Sequence, residues 1–261
     1  FSSSLAGTAA SILISTGLGR ATSYNISVVG RVFAEIDAKK YCAVDPDKRR
    51  GLVRYNFDLF TALPSDIFTD NELKILGDAT AEYKKITKDL PPAIQKKELE
   101  RLIIELSWKS SKIEGNTYTL LDTEKLILEN KEAAGHDKKE TQMILNHKDA
   151  FNFVRENAAQ FQTITKKNIE SLHAILVKDL SVGLGLRGKP VGVVGSTYRP
   201  LDNIYQITEA VGALGEAISK ISSPYAKALL ALLGVSYIQP FEDGNKRTAR
   251  LAANAVLLAY G

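Results

Sequence analysis

Between residues 239 and 250 the chain reads Gln-Pro-Phe-Glu-Asp-Gly-Asn-Lys-Arg-Thr-Ala-Arg. An acid, a glycine, an amide and two arginines gather in one turn ahead of an apolar stretch with helical spacing. This is the inventory of a phosphate and metal site. Gly244 permits a backbone turn that a side chain would block. Asn245 or Asp243 is placed to cap the helix that follows. The first amides of that helix lack intrahelical partners and point outward, which makes an anion cradle. Asp243 offers a hard oxygen ligand for Mg2+. Arg247 and Arg250 project from the first turn and can grip phosphate oxygens in bidentate fashion, and Lys246 adds positive charge. Cations are disfavoured at a helix N-terminus, where the dipole is positive, so three of them there need an anion. A capped helix with a solvated basic first turn is the plainer alternative; cradle, ligand and clamp together favour a nucleoside triphosphate. Phe241 reads as a core anchor.

The same residues resemble the signature of the Fic family, His-Pro-Phe-x-Asp-Gly-Asn-x-Arg-x-x-Arg, at every fixed position but the first. There Gln239 stands where the family keeps a histidine. The resemblance covers roughly residues 68–261. It implies a mainly α Fic-type helical bundle with a β-hairpin flap, ATP as substrate with Mg2+, and transfer of AMP to a hydroxyl of a target protein. In the family the histidine takes the hydroxyl proton, a task suited to an imidazole whose pKa lies near neutrality. The amide of Gln239 cannot accept that proton, and loss of a general base typically costs about 10²- to 10⁴-fold in rate. The expectation is nucleotide binding with little or no transfer. A non-catalytic nucleotide-binding regulator, a DNA-linked signalling protein, and removal of AMP from a modified target remain alternatives.

Two further segments carry the resemblance. Ser110-Ser-Lys-Ile-Glu114-Gly115 resembles the family's inhibitory motif, Ser/Thr-x-x-x-Glu-Gly/Asn. That implies that Glu114 pairs with Arg250 and withholds it from the γ-phosphate, one carboxylate competing with one phosphate for one guanidinium. Taken alone the motif is a surface glutamate before a glycine cap, although a carboxylate is unfavourable at a helix C-terminus. Gly183 to Pro200 holds matches to GxGxxG and, with Lys189, to GxxxxGK. Both patterns require a strand before and a helix after; here the order is reversed and Pro190 replaces the Ser/Thr. The segment instead resembles the Fic flap, with Val191, Gly192, Val193 and Val194 offering an edge to a target peptide by strand addition. Tyr198 and Arg199 either contact peptide or nucleotide or are ordinary loop residues. His136, His147 and His173 read as surface or helix-packing histidines.

The elements that must position these residues are mostly helical. Thr69 or Asp70 caps a helix running toward Leu90, which Pro91-Pro92 stops. The inhibitory helix spans about 93–115, with Leu99, Leu102, Ile103 and Leu106 as one apolar stripe. Further helices are expected at about 121–133, 138–157, 166–180 (capped by Thr165), 206–221, 224–237 and 246–259, the last with Leu251, Ala255 and Leu258 on one face. Residues 1–60 form a separate region with short strands at Ile12–Ser15, Ser23–Val29 and Val53–Phe57. It is read as a small β-rich cap; Ser15 to Tyr24 also resembles the wing of a winged-helix domain, with Arg20 able to reach DNA. Residues 68–261 make the Fic domain.

Composition sets the outer limits. The 261 residues are 44% hydrophobic and 25% charged, with net charge +4, which suits a globular protein and is too small a charge to indicate nucleic acid. Cys42 stands alone, so no intrachain disulfide forms, which fits a reducing, cytoplasmic setting. Nothing near Phe1 has the basic start and apolar run of a signal peptide, so none is expected there. Ala226 to Ile238 is too short and too interrupted to span a bilayer, so no membrane partner is expected.

Overall fold

The computed structural model describes residues 12–49 and 51–261. Ahead of the helical body lie two short strands, β1 (Leu13–Thr16) and β2 (Ser23–Ile26), paired antiparallel with Leu13 opposite Ile26 and Thr16 opposite Ser23. All eight positions are exposed, so this ribbon belongs to no core. Gly17, at φ 93°, supplies the left-handed bend between the strands, and Arg20 is exposed at the tip. The region is less β-rich than the sequence suggests. Ser27 ends the second strand by accepting the amide of Gly30, which starts α1 (Val28–Val32), and Asp37 caps α2 (Ala38–Ala43). The expected strand at 53–57 reduces to a single parallel bridge, Arg54 with Arg199. The first residues of the 1–60 region, 1–11, lie outside the described residues.

The helices follow the sequence closely. In α3 (Asp70–Lys88) Thr69 and Glu72 form a reciprocal capping box, Thr69 N–H to Glu72 Oε2 at 2.8 Å and Glu72 N–H to Thr69 Oγ1 at 3.3 Å. Pro92 takes the first position of α4 (Pro92–Ile113), where a missing N–H costs nothing. Then come α5 (Leu120–Glu129), α6 (Lys138–Glu156) and α7 (Lys166–Leu176), the last capped by Thr165 as expected. The body closes with α8 (Ile204–Lys220), α9 (Pro224–Ile238) and α10 (Asn245–Tyr260).

The core forms where α9, apolar around most of its circumference, lies between α8 and α10. Ala231, Val235 and Ile238 are wholly buried. At Gly234 a Cβ would sit 2.4 Å from Leu214 Cδ1, so any larger residue there requires the buried Leu214 side chain to shift. Burying a leucine such as Leu214 contributes about 1.5–3 kcal/mol. On α4 the buried face differs from the expected stripe. Leu102 is 47% exposed, while Ile103, Ile104, Ser107, Ser110 and Ser111 face inward. Two of these serines carry hydrogen bonds, Ser107 with His147 of α6 and Ser110 with Arg250 of α10. Leu258 of the expected α10 face is likewise 43% exposed. Among the described residues no helix is long and apolar enough to cross a membrane.

Candidate functional site

The turn between α9 and α10 is held by its own side chains. Gln239 ends α9 in the left-handed region, φ 52°, its N–H bonded to the Val235 carbonyl at 3.1 Å. Non-glycine residues are uncommon in that conformation and often mark functional positions. Phe241 is fully buried and stacks on His173 with ring centroids 3.8 Å apart. The Asn245 amide closes the loop, accepting from Phe241 N–H and donating to the Phe241 carbonyl, both at 2.8 Å. Neither Asn245 nor Asp243 caps α10, contrary to the sequence expectation; Gly244 holds the N-cap position at φ 77° with no side-chain cap. The reason is steric. A Cβ at Gly244 would lie 3.2 Å from Val177 Cγ1, and Asn245 already spends its amide on Phe241. The amides opening α10 therefore keep no capping side chain, which preserves the anion cradle.

Two guanidinium groups flank this opening. Arg247 is 2% exposed, its Nη2 donating to Asp243 Oδ2 at 3.2 Å, while its buried Nη1 has no partner. Burial pulls its pKa down, partly offset by the Asp243 carboxylate. A buried donor without an acceptor costs about 1–3 kcal/mol, a cost that an arriving oxyanion removes. Arg250 turns the other way. It bonds the Ser110 hydroxyl through Nε (3.1 Å) and Nη2 (2.9 Å), the Ser110 carbonyl (3.0 Å), and Glu114 Oε1 at 2.8 Å. Glu114 is the C-cap of α4, and Gly115 follows it at φ 94° with open space around its Cβ position. Gly115 thus serves by conformation. Lys246 is exposed on the same first turn.

The Gln239 side chain folds back on its own helix, Nε2 donating to the Ser236 carbonyl at 2.6 Å. Its main-chain carbonyl accepts from Arg187 Nε at 2.7 Å. Arg187, only 2% exposed, also donates to the carbonyls of Lys189 (2.8 Å) and Leu201 (2.5 Å), and its N–H reaches the Pro240 carbonyl at 3.0 Å. Sequence reasoning passed over Arg187 because it lies within the rejected glycine-rich pattern. A lone arginine in a glycine-rich loop with no nearby acid was the available signal. Two histidines are also nearer the site than expected. His173 Nε2 donates to the Asp243 carbonyl at 3.0 Å, and its pKa is lowered chiefly by burial. His147 meets Ser107 at 3.3 Å, and burial, with Arg250 and Arg247 nearby, pushes its pKa down to about 3. His136 contacts Thr117 at 2.8 Å, away from the turn.

The flap residues Val191, Gly192, Val193 and Val194 form no strand, in contrast to the expected hairpin. Pro190 removes a donor, Gly192 and Gly195 cost backbone entropy, and no neighbouring strand pairs with the segment. One turn bond, Ser196 N–H to the Val193 carbonyl at 3.1 Å, organises it, and Val194 is 97% exposed. Tyr198 is not a free contact residue: its ring stacks on Tyr237 at 4.8 Å and its hydroxyl donates to the Tyr237 carbonyl at 3.0 Å.

For a divalent cation, Asp243 is the available ligand, its side chain 66% exposed beside the cradle. Among the described residues no cluster of three or more His, Cys, Asp or Glu side chains forms a metal cage. One carboxylate next to an anion cradle fits Mg2+, which keeps its waters and binds largely through substrate phosphates.

Residues 163–257 match the model of the Fic/DOC family. The chain is 28% identical over 170 residues to a protein adenylyltransferase Fic of Nematostella vectensis, covering 64% of this chain and 40% of that protein. It is 31% identical over 152 residues to one from Drosophila ananassae, covering 57% and 31%. The chain therefore spans no more than 40% of the length of these relatives. Among solved structures, a Fic-domain-containing signalling protein from Bacteroides thetaiotaomicron superposes with TM-score 0.61 at 25% identity, covering 71% of this chain and 72% of that one. A Fic family protein from Desulfovibrio desulfuricans shares the fold with TM-score 0.61 at 20% identity, covering 76% and 62%. With the signature turn and these relatives in agreement, residues 163–257 carry a domain of the Fic/DOC family.

Proposed function

We propose that this protein binds ATP with Mg2+ at the opening of α10 and belongs to the AMP-transferring class, held in a self-inhibited state by Glu114. The observation that carries the reading is Arg247: a buried guanidinium with an unpartnered Nη1, beside an exposed carboxylate, at an uncapped helix N-terminus. Phosphate oxygens satisfy the guanidinium and the helix N-terminus, and a cation carried by them would satisfy the carboxylate. In this reading Arg247 and the amides from Gly244 onward hold the phosphates, with Lys246 adding charge. Mg2+ on Asp243 would neutralise charge developing on the phosphate oxygens. Arg250 would grip the γ-phosphate but is engaged by Glu114 and Ser110.

Transfer requires the target hydroxyl to lose its proton as it attacks the α-phosphorus and pyrophosphate leaves. Gln239 occupies the place of the proton acceptor and cannot take the proton, so turnover is slow. Target proteins would lie along the flap, main chain to main chain. Adenylyltransferase relatives favour this reading over a non-catalytic nucleotide-binding regulator. A DNA-linked role would rest on the exposed β1–β2 ribbon and Arg20 alone.

Calorimetry with ATP and Mg2+ tests the proposal. Replacing Glu114 by Gly frees Arg250 and is expected to tighten ATP binding by about tenfold, the worth of one charge-assisted hydrogen bond. Equal affinity in both forms removes Glu114 from the mechanism, and no binding in either removes the nucleotide.

A further inference from the structure

Beside the flap, two arginines are held together with nothing to neutralise them. Arg54 and Arg199 are partners in the parallel bridge, and the Arg199 N–H bonds the Val53 carbonyl at 2.7 Å. Both are exposed. Among the described residues neither has a carboxylate within ion-pair distance or any side-chain hydrogen bond. Like charges at paired backbone positions repel, so an anion placed between the two is favoured.

The adjacency is built. Residues neighbouring along a strand face opposite sides, and here the neighbours Tyr55 and Tyr198 turn inward onto Tyr237. Their rings stack with it at 5.0 Å and 4.8 Å, interplanar angles 22° and 18°. The Tyr237 hydroxyl also accepts the Asn56 N–H at 2.8 Å. This aromatic stack fixes the backbone of both segments, so the two guanidinium groups leave from a rigid base. Next to them an open concavity of about 550 Å³ is lined by Val53, Gly192, Val193, Val194 and Thr197. That is the flap edge whose main-chain groups have no strand partner.

We propose that Arg54 and Arg199 form an acid-selecting subsite for the protein segment that docks on the flap. An extended segment pairing with residues 191–193, ahead of the Val193–Ser196 turn, would place an Asp or Glu side chain between the two guanidinium groups and relieve their repulsion. The inference rests on the transferase reading, and it specifies that target segments carry an acidic residue close to the modified hydroxyl. The Arg54 side of the subsite lies outside the segment matched to the family model, which begins at residue 163.

The test is direct binding to the whole chain, read by fluorescence anisotropy at physiological ionic strength. The probes are a short extended threonine peptide flanked by Glu and the same peptide with Gln in place of Glu. The Glu peptide is expected to bind about fivefold more tightly, the yield of two exposed ion pairs. The preference should vanish in the Arg54→Ala, Arg199→Ala double variant and persist in the corresponding double Lys variant. Equal binding of the two peptides, absence of binding by both, or a preference surviving in the double Ala variant overturns the proposal. So does a duplex DNA oligonucleotide that outcompetes the Glu peptide, because the subsite then serves a nucleic acid. Calorimetry with ATP and Mg2+ on the same variants separates the two readings. Intact ATP binding without peptide discrimination ends this inference alone, and discrimination without ATP binding ends the nucleotide reading alone.

Discussion

The signature turn and the flap lie side by side and are built in opposite ways. In the turn, Phe241, Asn245 and Gly244 are buried, the Asn245 amide fills both hydrogen-bonding roles toward Phe241, and Gly244 packs against Val177 and His173. In the flap, Val194 stands in solvent, residues 191–195 form no strand, and a single turn bond from Ser196 N–H to the Val193 carbonyl organises the segment. On the proposed function, the difference follows from what each would hold. Each phosphate presents a fixed tetrahedral set of oxygens, and a cradle built in advance avoids the cost of ordering on binding. A protein segment varies, and an unpaired edge accepts many sequences through main-chain bonds while nearby side chains choose among them.

The contrast can be broken at several points. If the turn lacks only its proton acceptor, Gln239→His combined with Glu114→Gly should raise incorporation of label from α-labelled ATP into protein by about 10²- to 10⁴-fold. Histidine tolerates the left-handed backbone there. No gain would mean that the turn is misarranged for chemistry. Next, Arg187→Met leaves the carbonyls of Gln239, Lys189 and Leu201 without their donor and should cost about 3–5 kcal/mol in urea unfolding. Arg187→Lys should recover part of that loss. A change below about 1 kcal/mol would show that turn and flap are not tied through this residue.

The buried histidines give a pH test of the turn. His147 is neutral in the fold, with its pKa pushed down to about 3, whereas the unfolded chain protonates it below about 6.5. The unfolded state thus binds more protons between these values, and stability falls as pH drops through that window. Between pH 7 and 5 the loss attributable to His147 is about 2 kcal/mol. His147→Gln should lose that much less than the parent in paired urea titrations, and identical acid losses would contradict the assignment. The smallest effect belongs to the flap. Val194→Thr should change folding stability by less than about 0.5 kcal/mol, and a larger loss would mean that the flap carries folding energy after all.

Most of the helical frame was legible because its signals are local: Thr69 with Glu72, Pro91 with Pro92, and Thr165 each act within a few residues. The turn was legible for the same reason, since its residues are contiguous. The pairing of Glu114 with Arg250 came from resemblance to a family, as nothing in the spacing of residues so far apart dictates contact. The inward face of α4 was misread because serines look polar in sequence; Ser107, Ser110 and Ser111 are buried through tertiary contacts. The expected flap strands failed because β-branched residues at 191–194 specify a strand only when a neighbour supplies hydrogen bonds. Arg187 and the stack of Tyr55, Tyr237 and Tyr198 depend on distant segments meeting, which periodicity does not record.

Arg187 holds the carbonyls of Lys189 and Leu201, one at each end of the flap, in the grasp of a single side chain. With both anchor points secured there, and Tyr198 and Arg199 tied to the body, the solvent-facing residues 191–197 are the part free to serve as an exchangeable cassette. Its length and lettering can drift, or be rewritten by design, while the neighbouring pocket stays where it is. On the proposed function, new client proteins would be acquired by editing that insert alone.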